Sequence, residues 1–437
     1  MSYRVLALAV AWLVLPVMNA KAEEPGSWAD KHREELVDLY RDFHQHPELS
    51  FQEKETAAHL AKELKAVGAE VTTDFGGYGV VAILANGPGP RIMLRTDLDA
   101  LPVTEQTGLV YASRVTTKAK DGQDTGIMHA CGHDIHITNQ IGVARYLAAN
   151  KDLWSGTVMF IGQPAEEMGG GAKIMLDAGL FTKFPKPDMA LALHVDSTLP
   201  TGKVGYRAGY AQANVDSVDI TIRGRGGHGA QPQLTIDPIV EAARLVLDLQ
   251  TIVSREIKPQ EPTVITVGAI HGGTKHNIIA DTCTLQLTVR SYSPEVRKQL
   301  LEAIRRKANA TALSSGAPEP TVEFSDATPA VKNDEKLVER VVPVFRRVLG
   351  DENVTEVEPT MGGEDFSEYG LAGVPIFMFR LGSVDPQRMA GFKRVGKPGP
   401  TLHSALYYPD AEAALATGVT VMSSVVLDLL PPVDNKN

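Results

Sequence analysis

The stretch Met128-His129-Ala130-Cys131-Gly132-His133-Asp134-Ile135-His136 holds three of the chain's twelve histidines and one of its two cysteines. A thiolate and imidazoles this close together can converge on a metal of the zinc class. The bland alternative is a half-buried helix start that happens to be rich in histidine. Cys131 and His133, one residue apart, can reach one ion from a loop or a helix start, where the positive end of the helix dipole also favours a thiolate.

Other reactive residues follow short apolar runs. Glu166-Glu167 comes after Thr157-Val158-Met159-Phe160-Ile161-Gly162 and precedes Gly169-Gly170-Gly171. Adjacent glutamates cannot face one metal equally, so one can ligate while the other takes a proton from water. A metal lowers the pKa of water towards 7, and that division of labour is what metal-assisted hydrolysis requires. A solvated acidic turn is the rival reading. His194 ends the run Met189 to His194, and a lone histidine there is more often a satisfied core residue. Thr96-Asp97-Leu98-Asp99 also sits at a strand end, where open α/β sheets place their sites. His403, in Leu402-His403-Ser404, is a late candidate. In Gly224-Arg225-Gly226-Gly227-His228-Gly229-Ala230 a histidine projects from a glycine-rich loop and could donate to a developing oxyanion, or could simply sit in a hairpin turn.

The elements that must position these groups fall into two textures. Leu36, Tyr40 and Phe43 recur at helical spacing between Trp28 and His46, and Ser50-Phe51-Gln52-Glu53 reads as a capping box for a helix that Gly68 stops. The runs Val80 to Leu84 and Ile92 to Arg95 read as buried strands alternating with helices, the pattern of an α/β domain. A helix is expected from about Asp134 to Ala149, and a strongly apolar one from about Asp410 to Leu430 closes the fold. From about Gly205 apolar and polar residues alternate instead, as in Val218, Ile220 and Ile222 or Leu285, Leu287 and Val289. Strands with one wet face form antiparallel sheets. With a helix over Asp237 to Val253 and another opened by Ser293-Pro294, this segment predicts a four-stranded antiparallel sheet backed by two helices. The fold class is therefore α/β, a mixed, largely buried sheet flanked by helices over 23–204 and 321–437, with an inserted α+β domain over 205–320.

Composition excludes several functions. The formal charge is −10, and an acidic chain has no electrostatic reason to bind nucleic acid or anionic lipid. Arg4, the apolar run Val5 to Val17 and Ala20-Lys21-Ala22 read as a secretory leader cleaved after Ala22, which places the mature protein outside the cell or in the periplasm. No later segment reads as a membrane span. Two cysteines do not make a disulfide scaffold, and Cys283, in an alternating strand, reads as a small buried residue, although a bridge to Cys131 is formally open.

Taken together, the motifs resemble the aminoacylase/carboxypeptidase family of di-metal amidohydrolases, in the branch of hippurate and indoleacetyl-amino-acid hydrolases. The likeness runs in order through Arg95-Thr96-Asp97-Leu98-Asp99-Ala100-Leu101-Pro102, the stretch from Met128 to Asp134, Gln163-Pro164-Ala165-Glu166-Glu167 and Leu193-His194-Val195. It continues through Gly226 to Ala230, Asn277-Ile278-Ile279, Met361-Gly362-Gly363-Glu364-Asp365-Phe366 and Leu402-His403-Ser404. Eight motifs in order are specific where one is weak.

The resemblance implies that Cys131, His133, Glu167, His194 and His403 hold two divalent ions, zinc, manganese, cobalt or nickel, and that Glu166 is the general base. It implies that the inserted domain is a lid through which a homodimer forms, its His228 reaching the partner's site to stabilise the oxyanion. Asn277, Arg290 and Gly363 look like substrate contacts, and Asp99 like the aspartate that orients the centre. Gln233, where a histidine is common, Ala405, where proline is common, and the long polar segment Val115 to Gln123 depart from the pattern and bear on substrate preference. The expected reaction is hydrolysis of the amide bond in N-acyl or N-aroyl amino acids. A dipeptidase or metallo-carboxypeptidase with the same centre is the nearest alternative, and a non-catalytic periplasmic metal- or ligand-binding protein is the alternative from another class. A retained Glu166 argues against the last, because pure binding needs no base.

Overall fold

Four short apolar runs become neighbouring parallel strands: Gly156–Gln163, Arg91–Asp97, Met189–Pro200 and Ile376–Val384. Their residues are mostly buried, as befits strands covered on both faces. Val80–Asn86 and Glu70–Thr72 add antiparallel to one side, and the short strands Val204–Tyr206 and Val354–Glu356 complete the other. The result is one mixed sheet of eight strands. The structure, a computed structural model, describes residues 23–119 and 122–433, so the leader read over residues 1–22 lies outside the described residues.

Helices cover both faces of the sheet. Arg33–Gln45, Lys54–Ala66, His133–Ala149 and Ala411–Leu429 share a core with Phe160, Leu191 and Phe377. Gly171–Asp177 and Ser367–Leu371 pack with Met93, Ile161 and Met378 on the other side. Ala411–Leu429 corrects one expectation, since its length and composition would suffice to cross a membrane. Here it is a core helix, with Leu415, Val419, Val425 and Val426 buried. It lies close to His133–Ala149 because two glycines allow it. A Cβ at Gly418 would come within 2.2 Å of Asn139 Oδ1, and one at Gly142 within 2.6 Å of Val419 Cγ2.

Two local expectations fail for tertiary reasons. The capping box is absent: Lys54–Ala66 starts without a side-chain cap. The Ser50 hydroxyl donates instead to Asp99 Oδ2, and Glu53 Oε1 accepts the backbone N–H groups of Phe51 and Ala165. The first helical stretch is also two helices, Pro25–Lys31 and Arg33–Gln45, separated at His32.

The alternating segment forms a second, antiparallel sheet in the order Val264–Gly272, Thr282–Ser291, Asn214–Arg223, Thr321–Thr328. Helices Pro238–Arg255 and Pro294–Ser315 cover one face, burying Val218, Ile220, Ile222, Leu285 and Leu287. Both helices begin as the sequence suggests, with Asp237 and Ser293 side chains accepting backbone N–H groups ahead of a proline. The fourth strand, Thr321–Thr328, pairs antiparallel with Asn214–Arg223. Cys283 is a buried, free strand residue, and Cys131 is also free.

Candidate metal centre

The carboxyl ends of the parallel strands converge on one place. Asp97 and Gln163 are paired in register, and from Gln163 the chain runs directly into Glu166 and Glu167. His194 sits on the next strand, opposite Arg380. Gly132 brings Cys131 and His133 to the same spot. Its φ is +79°, and a Cβ there would lie 2.6 Å from Val195 Cγ2, so only glycine makes this turn into the helix His133–Ala149.

Cys131 Sγ lies 3.6 Å from His194 Nε2 and 3.3 Å from His403 Nε2. Two sets of three ligand atoms result, Cys131 with His133 and His194, and Cys131 with Glu167 and His403. They share the sulfur. The ring orientations suit ligation: His133 Nδ1 is 2.8 Å from the Asp99 carbonyl and His194 Nδ1 is 2.7 Å from the Val195 carbonyl. Each Nδ1 therefore carries the hydrogen, and each Nε2 lone pair faces the centre. His133 Nε2 and Glu167 Oε1 are buried without a hydrogen-bond partner. Buried polar atoms are normally partnered, and a cation between these groups would partner both. The donor set, one thiol, three imidazoles and a carboxylate, fits zinc-class ions.

The charges point the same way. Burial, then repulsion from Glu364 and Glu167, holds the Glu166 carboxyl well above the usual carboxylate range. Burial raises Glu167 to about 7 and pushes the Cys131 thiol up, with Glu167 adding to the latter. Burial also lowers His194 and His403. Crowded acids that cannot all ionise in a dry site would ionise beside divalent cations. Glu166 Oε2 lies 3.8 Å from His133 Nε2, next to the ligands but in neither shared-sulfur set.

The structure thus brings Cys131, His133, Glu166, Glu167, His194 and His403 together, with Asp99 behind them. Asp99 Oδ2 accepts the Ser50 hydroxyl at 2.6 Å and the Glu167 backbone N–H at 3.0 Å, so it ties the glutamate turn to the His133 side. Arg290 and Gly363 line the same cavity of about 710 Å³, as do Gln212 and Arg380. His228 and Asn277 do not line it. His228 is exposed on the strand Gly227–His228 of the inserted domain, and Asn277 is exposed just before the strand Ile278–Ile279 that pairs with it.

Sequence reasoning gave no role to the buried network under the centre. Arg95 binds Asp97 at 2.8 Å, Glu364 at 2.9 Å and Asp365 at 3.2 Å. Asp97 Oδ1 in turn lies 2.7 Å from His136 Nδ1, and His136 Nε2 accepts the Val195 backbone N–H at 2.9 Å. His136 is therefore a support for the His194 strand and not a ligand in either set that shares Cys131. A signal was present: Arg95 and Asp97, two residues apart, follow the apolar run Ile92-Met93-Leu94 on one face of a buried strand, and a charge pair there demands partners. Glu53 was also missed. It holds the N–H of Ala165, whose φ of +51° is strained for a non-glycine residue, immediately before Glu166.

Comparison with known proteins decides the family. A family model described as Peptidase family M20/M25/M40 matches residues 93–427. The chain belongs to this family. The chain is similar to a thermostable carboxypeptidase of Saccharolobus solfataricus, 36% identical over 80% of this chain and 86% of that one. An N-acetylcysteine deacetylase of Bacillus subtilis is 37% identical over 80% of this chain and 88% of its own. The crystal structure of the Bacillus subtilis YxeP protein, described as a dinuclear metal-binding peptidase of the M20 family, superposes with a TM-score of 0.74 at 30% identity. It covers 92% of this chain and 99% of that one. As an M20 chain the protein is a hydrolase of amide or peptide bonds, and its large mixed sheet flanked by helices matches its M20 neighbours.

Proposed function

We propose that the protein hydrolyses the amide bond of N-acyl or N-aroyl amino acids, with Cys131, His133, Glu167, His194 and His403 holding two divalent ions. The observation that carries this reading is the pair of ligand sets sharing Cys131, with Glu166 beside them but in neither. Bound ions would supply a Lewis acid for the amide carbonyl and ease ionisation of water. Glu166 accepts the proton of the attacking water and delivers it to the amine nitrogen as the C–N bond breaks and the water oxygen bonds to the carbonyl carbon. Asp99 fixes the His133 tautomer. Arg290 and Arg380, both lining the cavity, favour a substrate that carries a carboxylate.

His228 completes the site from a second copy of the chain. Its Nδ1 accepts the Ala230 backbone N–H at 3.0 Å, so in the neutral ring the exposed Nε2 carries the hydrogen and can donate to an oxyanion. Asn277 lies alongside, its carbonyl accepting from Gly229. Leu234, Val240, Leu247 and Ile278 of the same domain are exposed apolar residues that a homodimer would cover.

Metal-loaded protein should hydrolyse hippurate or N-acetyl-amino acids, and Glu166→Gln should lower kcat by about 10³-fold with metal content unchanged. Inertness of the loaded wild type on every acyl-amino acid would sink the reading, whereas activity on dipeptides alone would move it to a peptidase. We also read residues 1–22 as a leader for export, supported by their composition. N-terminal sequencing of the mature protein should begin at Glu23, and an intact Met1 in exported protein would refute cleavage.

A further inference from the structure

Two adjacent glutamates can do different work only if their shared turn is held in one shape. Backbone groups on both sides of Glu166 are fixed by side chains far off in the sequence. The Ala165 N–H donates to Glu53 Oε1 at 2.7 Å, and the Glu167 N–H donates to Asp99 Oδ2 at 3.0 Å. Within the turn, the Glu166 carbonyl accepts from the Gly169 N–H at 2.7 Å. Both outside acceptors belong to one assembly with residues 48–53. The Glu48 carbonyl accepts the Ala100 N–H at 2.8 Å, next to Asp99, and the Ser50 hydroxyl donates to Asp99 Oδ2 at 2.6 Å. Glu53 Oε1 also accepts the Phe51 N–H at 2.9 Å. Phe51 and Ala165, whose N–H groups share that oxygen, both have left-handed backbones, with φ of +65° and +51°. Non-glycine residues keep such a conformation only where their surroundings impose it.

The ordinary use of Glu53 would be to cap the helix Lys54–Ala66, since it occupies the N-cap position. Its side chain does not cap that helix. It is fully buried, and its Oε2 has no hydrogen-bond partner. Burial raises the carboxyl to about 7, and the nearby Asp99 adds to the rise. An acid buried against its solvation and bonded through a single oxygen is poorly explained by local stability. That oxygen joins two strained residues, one of them immediately before Glu166.

We propose that Glu53 is a positioning residue for the general base: through the Ala165 N–H it holds the left-handed bend that fixes the direction of the Glu166 carboxyl. The proposal rests on the amidohydrolase reading above. It assigns the two halves of the turn to two carboxylates, Glu53 for the base and Asp99 for the ligand, so each glutamate is placed by its own support. Glu166 Oε2 then lies 3.8 Å from His133 Nε2, while Glu167 Oε1 lies 3.5 Å from His403 Nε2.

The test separates placement from charge. Glu53→Asp keeps the charge but is one methylene too short to reach both N–H groups, and kcat should fall about 10²-fold with KM and metal content unchanged. Glu53→Gln keeps an acceptor oxygen at the same reach and should hold kcat near the wild-type value, since Oε2 bonds nothing. A kcat that is unchanged in Glu53→Asp, or lost in Glu53→Gln, overturns the proposal. Loss of metal along with turnover in Glu53→Asp also overturns it, because the ligand half of the turn would then have moved with the base. Amide exchange over residues 163–171, followed by mass spectrometry, gives a readout free of turnover. Exchange there should speed at least about tenfold in Glu53→Asp and stay slow in Glu53→Gln. Equal exchange in the wild type and Glu53→Asp would show that Glu53 does not hold the turn. If the wild type hydrolyses no acyl-amino acid, the amidohydrolase reading fails by itself, and the exchange comparison still decides whether Glu53 shapes this turn.

Discussion

His133 and His228 each follow a glycine in a histidine-bearing, glycine-containing stretch, and their surroundings are opposite. His133 is fully buried, its Nδ1 fixed by the Asp99 carbonyl and its Nε2 aimed at Cys131, Glu166 and Glu167. His228 is exposed on a pair of two-residue strands and does not line the metal cavity of its own chain. One region is assembled from strands and a helix start that are held on all sides. The other is a projection from a separate sheet. Under the proposed mechanism, ligand geometry is secured within one chain, while stabilisation of charge developing on the substrate is left to a surface brought to it by a second copy.

The sharpest way to break that comparison is to separate the two histidines genetically. His228→Ala should lower kcat by about 10²–10³-fold, the usual cost of one oxyanion donor, with metal content unchanged. Mixing it with Glu166→Gln under conditions that exchange subunits should restore part of the activity, because one site in each mixed dimer keeps both groups. Full exchange without recovery would place His228 outside the partner's chemistry.

A second contrast is in response to pH. Behind the Cys131 stretch, His44 is buried between two carboxylates, 2.7 Å from Asp134 and 3.3 Å from Glu105. Burial opposes its charge, but hydrogen bonds to Asp134 and Glu105 outweigh burial and raise it to about 9. A raised folded-state value contributes stability that is complete below the unfolded value near 6.5 and is lost as pH climbs through about 9. The full contribution is on the order of 3 kcal/mol. The urea midpoint of the metal-free protein should therefore fall between pH 6.5 and 10. The decline should vanish in a His44→Gln variant, whatever its starting stability. A decline of equal size in that variant would mean that other groups govern the alkaline limb.

Much of this was legible beforehand, and what was not shares one cause. Short-range signals translated well: Asp237-Pro238 and Ser293-Pro294 begin helices, and the alternating runs became an antiparallel sheet. The residues that the structure brings together at the strand ends were legible through the family resemblance, since Glu166-Glu167 and His194 taken singly had bland readings. Ser50 and Glu53 misled because each found a better partner far along the chain, Asp99 and the amide of Ala165. The Arg95 network was invisible for the same reason, since Glu364 and Asp365 lie about 270 residues away. Local pattern reveals which groups need partners, but only the fold reveals which partners win.

Asp97 tests that lesson at the smallest scale. It belongs to no ligand set that shares Cys131, yet it contacts His136 at 2.7 Å, Arg95 at 2.8 Å and His133 Nε2 at 3.7 Å. Burial opposes its charge, but His133, His136 and Arg95 hold its carboxyl well below the usual range. Asp97→Asn keeps the shape and removes the charge, so the damage should come through orientation of the His136–Val195 link and the field at His133. Metal affinity should fall about 10–100-fold, the usual effect of losing a group behind the ligands, while turnover at saturating metal stays nearer wild type. A loss of turnover that excess metal does not relieve would make Asp97 part of the chemistry itself. An unchanged affinity would show that the Arg95 cluster serves the sheet and not the centre above it.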